Sequence, residues 1–519
     1  MRSSAIAKMS WDDLFRELEA KRKEASAALS PQSRAELGQF FTPGCVALFM
    51  ASMFEAPKDE LRLLDAAPGV GSLTVAFLSA VVRRRNPPRT VHATLYELDP
   101  LLAELLEDVM TSCQRVCRSS GVNVEYEILT KDFVEAAAST FASPLIQPPL
   151  EGFDCAILNP PYRKISSDSR ARKVLSEAGI EVNNLYTAFL ALVSRLLRDG
   201  GELVAITPRS FSNGPYFKAF RHDFFRRMSL RRIHVYESRE DAFREDEVLQ
   251  ENVILHAVKT PVRPETVLIS SSLGPHHLDP VMREVPYDEV IHPGDADLVV
   301  NVIADEASRH AAELVRQLRC QLPELGLSVS TGRVVDFRAR QHLRRSPDSG
   351  TVPLVYPFNL DRGRVVWPRT HPKKSTSIVR SSATRELLIP NEVYVVVKRF
   401  TAKEERRRLV AALYHPEAIR CPSVGFENHL NYFHINGGGL PLPLARGLVA
   451  YLNSTLADTY FRNFNGHTQV NAQDLRRLKY PGREQLLKLS DRVGDDVADQ
   501  EAVDRAVEEC LELASLVRS

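Results

Sequence analysis

Between residues 61 and 258 the chain repeats one rhythm: a short apolar run, then a helix-length segment, then another short run. The runs are Leu61–Leu64, Thr90–Tyr96, Val124–Leu129, Cys155–Leu158, Glu202–Ile206, Arg232–Tyr236 and Val253–Val258. Runs this short and this apolar fit strands buried on both faces, and the segments between them are long enough for helical crossovers, so the pattern predicts an α/β sheet that is mostly parallel. The last two runs, separated only by Glu237–Asn252, are expected to close the sheet as an antiparallel hairpin. A charged helix over residues 11–36 and an apolar helix from Val46 to Phe54 should precede it. Residues 263–305 are rich in Pro, Gly, Ser and His and read as a linker region. Beyond them the pattern is irregular, with mixed α+β character over 306–483 and a charged helix over 484–519. The expected organisation is therefore 1–262 as one domain with 1–36 as its helical extension, the linker, a second domain, and a C-terminal helix.

Composition narrows the functional classes. At 519 residues, 44% hydrophobic and 26% charged, the chain has the make-up of a globular protein with a proper core. Its 67 Lys and Arg nearly balance its 66 Asp and Glu, so any basic surface must be local. The seven cysteines form no C-x2-C pair, and His429, His434 and His467 lack ligand spacing, so neither a disulfide framework nor a metal site is expected. The apolar stretch Leu63–Val82 is broken by Asp65, Pro68, Gly69 and Gly71, which argues against a membrane span. Without an apolar run of signal type near its start, the chain is expected in the cytoplasm.

The motifs sit where strands should end. Leu63 to Thr74 is a strand running into a small-residue loop and a helix, and Gly69 and Gly71 allow close backbone approach to a ligand. The loop lacks full G-x-G-x-x-G spacing and has no Gly-Lys-Ser/Thr, so taken alone it is equally a tight turn. Tyr96-Glu97-Leu98-Asp99-Pro100 places Glu97 at the next strand end, where a carboxylate can accept both hydroxyls of a ribose or simply face solvent. After the third strand, Asp132 can accept from an adenine amine and Phe133 can pack on its ring or in the core.

The sharpest motif is Asn159-Pro160-Pro161-Tyr162. Two prolines fix the backbone and remove amide donors, so the Asn159 side-chain oxygen and the Pro160 carbonyl can both accept from one amino group while Tyr162 offers a flat face. Such a device holds an aromatic amine edge-on and lets its lone pair attack a methyl sulfonium, with no metal or strong base.

Taken in order, Gly38-Gln39-Phe40-Phe41-Thr42-Pro43, Asp65-Ala66-Ala67-Pro68-Gly69-Val70-Gly71, Tyr96–Pro100, Lys131-Asp132-Phe133 and Asn159–Tyr162 resemble the gamma class of N6-adenine DNA methyltransferases over residues 36–260. The resemblance implies a Rossmann-like fold that binds S-adenosylmethionine. It implies cofactor contacts at Phe41, Thr42, Pro43, Asp65, Ala67, Gly69, Gly71, Glu97, Asp132, Phe133 and Asn159. Where many members carry Asp/Glu-Pro-Ala-Cys this chain has Ala-Ala-Pro, which leaves Asp65 in place. The family stacks a flipped adenine between two aromatics, here Tyr162 and Phe243.

The second half carries two basic, aromatic-bearing stretches, Gly332–Arg345 and Lys398–Arg408. Arg333, Arg338, Arg340, Lys398 and Arg399 are candidates for double-stranded DNA, and Asn428, His467, Gln469 and Asn471 can read adenine or bridge to the backbone. Leu325–Arg338 and Asn465–Asn471 resemble the target-recognition region of the PstI- and BsuBI-type modification methylases, which implies CTGCAG as the site. Methylation of RNA or of a protein glutamine, and a non-catalytic DNA-binding specificity subunit, are the alternatives. No Glu-x-Lys follows Pro347-Asp348 at useful spacing, so cleavage would fall to a separately encoded restriction endonuclease.

Overall fold

The computed structural model describes residues 9–28, 41–55, 58–142, 152–236, 251–274, 280–318, 320–402, 405–418, 421–494, 497 and 499–516. They form two compact units, 1–304 and 305–519.

In the first unit, α1 (Trp11–Ala28) and α2 (Gly44–Ala51) precede β1 (Glu60–Asp65), α3 (Ser72–Val82), β2 (Thr90–Tyr96), α4 (Pro100–Ser119), β3 (Asn123–Leu129), α5 (Phe133–Ala142) and β4 (Phe153–Leu158). They are followed by α6 (Arg170–Glu177), α7 (Leu185–Leu196), β5 (Leu197–Pro208), α8 (Lys218–Phe225), β6 (Met228–Tyr236), β7 (Asn252–Lys259), β8 (Thr266–Ser272) and β9 (Val281–Pro286). The strands assemble as β3-β2-β1-β4-β5-β7-β6-β8-β9. The first five are parallel, and β7 runs antiparallel between β5 and β6, so the expected hairpin forms with its second strand inserted. The apolar helix ends at Ala51 rather than Phe54.

The stretch 263–305, expected as a linker, falls instead in this unit up to Ala304, because β8 pairs parallel with β6 and β9 antiparallel with β8. The serines that suggested a loop are buried on β8, where Ser270 and Ser272 hydroxyls meet the two ring nitrogens of His234 at 2.9 and 3.2 Å.

Leu14 and Leu18 of α1, Val46 and Met50 of α2, most of α3, and Leu106, Val109 and Met110 of α4 share one core with Leu61, Leu63, Ile157, Ile206 and Ile254. The central pair of strands is also pinned polar-wise, since buried Asp154 accepts from the Lys58 ammonium at 2.6 Å and the Arg62 amide at 2.9 Å. The strand order reverses at β1 and β4, each with a neighbour on the opposite side, which opens a crevice beyond their carboxyl ends.

The second unit is mixed α+β. One sheet runs β10 (Ser328–Thr331), β20 (Leu430–His434), β17 (Tyr394–Lys398), β18 (Ala411–Tyr414), β14 (Arg364–Val365), β13 (Leu360–Asp361). The other runs β11 (Leu343–Arg344), β15 (Ser377–Val379), β12 (Thr351–Val355), β19 (Ser423–Phe426), β16 (Ile389–Pro390). Its longer helices are α9 (Glu306–Gln317), α10 (Leu442–Leu452), α11 (Thr455–Phe464), α12 (Ala472–Arg477), α13 (Arg483–Val493) and α14 (Gln500–Leu516). The C-terminal stretch is thus two helices rather than one, interrupted at Gly494, whose φ of +59° ends α13. α10 and α13 touch backbone to backbone, because a Cβ at Gly447 would collide with the Leu486 carbonyl.

Candidate active site

The site is built at the carboxyl ends of β1 to β4. β1 delivers Asp65, fully buried beneath the loop that follows. Burial pushes its carboxyl up to about 7, and the charge of Glu97 adds to this, against the Thr74 hydroxyl donating at 2.8 Å and the Ala67 amide at 3.4 Å. Asp65 therefore organises the loop from below. Gly69 has φ +55°, and a Cβ there would stand 3.1 Å from the Phe41 ring, so glycine is required both for the turn and for the approach of Phe41.

Glu97 ties the first two loops together. It is 4% exposed, and its Oε2 accepts from the Gly69 amide at 3.0 Å while Oε1 accepts from the Asp99 amide at 2.9 Å. Burial raises its carboxyl above the ordinary range, and those two amides oppose the shift. Asp99 then caps α4 through the Leu101 amide at 2.8 Å, with Pro100 in the first turn, so Tyr96–Pro100 both ends a strand and starts a helix. At the next strand end Asp132 accepts from the Glu135 amide at 2.9 Å and starts α5. The Phe133 ring lies between Tyr96, 5.3 Å away and edge-on, and Phe189 at 5.0 Å.

These loops surround a cavity that is open to solvent. Phe41, Thr42, Ala67, Gly69, Glu97, Asp132, Phe133 and Asn159 all line it. Asp65, Gly71 and Pro43 do not: the first is buried under the loop, the second caps α3 and the third caps α2. Leu102, Arg163, Leu185 and Phe189 also line the cavity, and the sequence alone did not single them out.

At the mouth stands the end of β4. Pairing of Leu158 with Ala205 sets Asn159 beside Ile206 of β5. The Asn159 amide nitrogen donates to the Thr42 hydroxyl at 3.0 Å, and its oxygen accepts from the Tyr162 hydroxyl at 2.9 Å. That hydroxyl is also 3.3 Å from the Ile206 carbonyl, and burial holds the phenol well above its ordinary range. Thr42 thus fixes which way the Asn159 amide faces, a partnership across 117 residues that no local motif announces. The Tyr162 ring meets Tyr186 edge-on at 6.4 Å, and the Tyr186 hydroxyl is 2.8 Å from that of Ser210. Pro160 is buried and Pro161 half-buried. Phe243 lies outside the described residues, as do Gly38–Phe40.

In the second unit three distant segments converge. The Arg399 amide donates to the His429 carbonyl at 2.8 Å and the Arg399 guanidinium to the Asn428 carbonyl at 3.1 Å. Val470 and Thr401 amides complete the junction with the Arg399 and Thr468 carbonyls at 2.7 and 3.1 Å. Lys398, Arg399, Asn428 and Gln469 therefore share one edge. His467 and Asn471 flank it in structural duties, the His467 carbonyl accepting from buried Arg408 and Asn471 capping α12. Arg333 reaches the Glu386 carbonyl at 3.3 Å, Arg338 lies over the exposed Phe337 ring at 5.5 Å, and Arg340 is exposed. Among the described residues no group of three or more His, Cys, Asp or Glu is placed to hold a metal ion, and no helix is long and apolar enough to cross a membrane.

Comparison with known proteins bears on this arrangement. The Eco57I restriction-modification methylase family matches residues 121–243. The type II methyltransferase M.PstI of Providencia stuartii is 42% identical over 95% of this chain and 96% of its own. The type II methyltransferase M.BsuBI of Bacillus subtilis is 41% identical over 92% of this chain and 95% of its own. Among solved structures, the type IIL restriction-modification enzyme MmeI, determined with DNA, covers 97% of this chain and 72% of its own at TM-score 0.51 and 10% identity, a likeness of fold.

Proposed function

This chain belongs to the type II methyltransferases of restriction–modification systems, and from that premise we propose that it transfers a methyl group from S-adenosylmethionine to N6 of an adenine flipped out of duplex DNA. The observation that carries the reading is the Thr42–Asn159–Tyr162 chain at the mouth of a cavity lined by an acid and aromatic rings.

The residues present fit the cofactor. Glu97 is a buried acid held above its usual range, which a pair of hydroxyl donors such as those of a ribose relieves. Phe133 and Phe189 give an apolar wall for a flat base, Asp132 stands beside it for an exocyclic amine, and Phe41 and Thr42 border the end nearest Asn159. When bound, S-adenosylmethionine supplies a methyl group on a positively charged sulfur.

The chain's own work concerns the acceptor amine. The lone pair of adenine N6 is delocalised into the ring and is a poor nucleophile while the amine is planar. With its two hydrogens directed to the Asn159 oxygen and the Pro160 carbonyl, the nitrogen is drawn toward a pyramidal geometry and its lone pair is freed. Pro160 and Pro161 contribute by having no amide hydrogen to compete for those acceptors. Before the base arrives the Tyr162 hydroxyl satisfies the Asn159 oxygen, and the ring is the surface on which the base stacks. Methylated N6 is positively charged and acidic, so its proton leaves to water without a strong base.

The resemblance to M.PstI and M.BsuBI supports CTGCAG as the site, and Lys398, Arg399, Asn428, Gln469, Arg333, Arg338 and Arg340 are the proposed DNA contacts. A separately encoded endonuclease cutting the same site is the proposed partner. The test is single-molecule sequencing of DNA from a methylation-free bacterial host expressing this chain. N6-methyladenine at one short motif is expected. Methylcytosine, or no methylated base from folded protein that binds S-adenosylmethionine, overturns the reading.

A further inference from the structure

Phe400 is a large apolar side chain left 41% exposed at the edge where residues 398–401, 427–429 and 468–470 meet. His429 lies against it, ring centroids 4.9 Å apart, with its own side chain 44% exposed. Behind both sits Glu427, 1% exposed. One of its oxygens is 2.5 Å from His429 Nδ1 and the other accepts from the His429 amide at 2.9 Å, so ring and backbone are held by the same carboxylate. A buried acid spent on orienting a half-exposed imidazole is an expensive arrangement for a surface loop. Around the pair, the side chains of Lys398, Asn428 and Gln469 hold no hydrogen bond or ion pair to another described residue. Unengaged polar ends grouped about an exposed aromatic shelf form a surface still lacking its partner.

We infer that His429 reads one base pair of the target in the major groove through Nε2, with Phe400 as the shelf beneath its ring and Glu427 as its positioning residue. The inference rests on reading the C-terminal unit as the DNA-reading part of the enzyme. A carboxylate accepts, so Nδ1 carries a hydrogen toward Glu427 and Nε2 is the ring nitrogen left for a partner. With Nε2 accepting, the base pair it reads is the one presenting cytosine N4 or adenine N6, the donors of the major groove. Lys398, beside it on β17, supplies a charge for the flanking phosphates.

The test uses the full-length enzyme on duplexes carrying every single base-pair change in its recognition sequence, with a second set in which one amine at a time is removed by placing purine for adenine or 2-pyrimidinone for cytosine. Wild type, His429→Ala and Glu427→Gln are compared by relative methylation rate. Both variants should relax the same single position by about tenfold and lose the sensitivity to amine removal there, with cofactor affinity unchanged. A role in folding alone lowers every rate together and leaves the profile intact. His429 is half-exposed, so its truncation carries the test even where Glu427→Gln fails to fold. A wild type that discriminates while His429→Ala keeps the same profile overturns this inference alone. A wild type that discriminates among none of the duplexes overturns the DNA reading and this inference with it.

Discussion

Thr42→Val separates the orientation of the catalytic amide from everything else in the site. Valine has nearly the shape of threonine, and residue 42 is 5% exposed, so packing is retained while the acceptor of the Asn159 amide nitrogen disappears. The amide then loses one of the contacts that keep its oxygen toward the acceptor amine, the Tyr162 hydroxyl remaining on that oxygen. Turned over, it would set its own NH2 against the hydrogens of N6. One neutral hydrogen bond is worth about 0.5–1.5 kcal/mol net, and each 1.36 kcal/mol is tenfold in rate, so the rate of the methyl-transfer step should fall by roughly 2- to 13-fold. Single-turnover transfer to a duplex containing CTGCAG reads that step, with cofactor and DNA affinities measured on the same preparations. Thr42→Ser keeps the hydroxyl and should stay close to wild type. A Thr42→Val enzyme with the wild-type single-turnover rate, or one whose only loss is in cofactor affinity, refutes the argument that Thr42 orients Asn159.

Glu97→Gln should weaken S-adenosylmethionine binding by tenfold or more in calorimetry, since hydrogen bonds to a charged group contribute about 1.5–3 kcal/mol, while the rate at saturating cofactor is largely kept. Asp65 has a folded-state pKa of about 7, raised from 3.8 by burial. Its protonated form is what the fold prefers, so its contribution to stability is fully present below about pH 4 and is lost as pH rises through about 7. Melting curves from pH 5 to 8 should therefore show wild type declining relative to Asp65→Asn, and parallel curves would count against the buried acid. Gly447→Ala pushes a methyl group onto the Leu486 carbonyl. It should cost about 1–3 kcal/mol and lower the melting temperature by several degrees, whereas an unchanged melting temperature would mean that α10 and α13 separate freely.

What the sequence could and could not reveal follows from how local each feature is. The site loops were legible because their chemistry is contained in a few consecutive residues: Gly69 for an approach that a side chain would block, Asp99-Pro100 for a helix start, Asn159–Tyr162 for a backbone without donors. The mostly parallel sheet and its closing hairpin followed from the same rhythm, whereas the order of the strands required the structure. β8 was illegible because Ser270 and Ser272 look like loop residues until His234, on a neighbouring strand, is seen to engage them. Gly494 similarly hides in a charged, helix-like stretch and splits it in two. Contacts across long separations left no local trace. Thr42 with Asn159, Phe189 against Phe133, and Glu427 and His429 with Phe400 each require the fold before they can be recognised.

The central claim is that Asn159 holds the acceptor amine, and Asn159→Ala tests it most directly. Single-turnover methyl transfer to duplex DNA should fall by about 100-fold or more, as expected for removing an acceptor that acts in the transition state, with S-adenosylmethionine and DNA affinities within a few-fold of wild type. Transfer within a few-fold of the wild-type rate, or a loss of rate matched by an equal loss of DNA binding, would contradict the account.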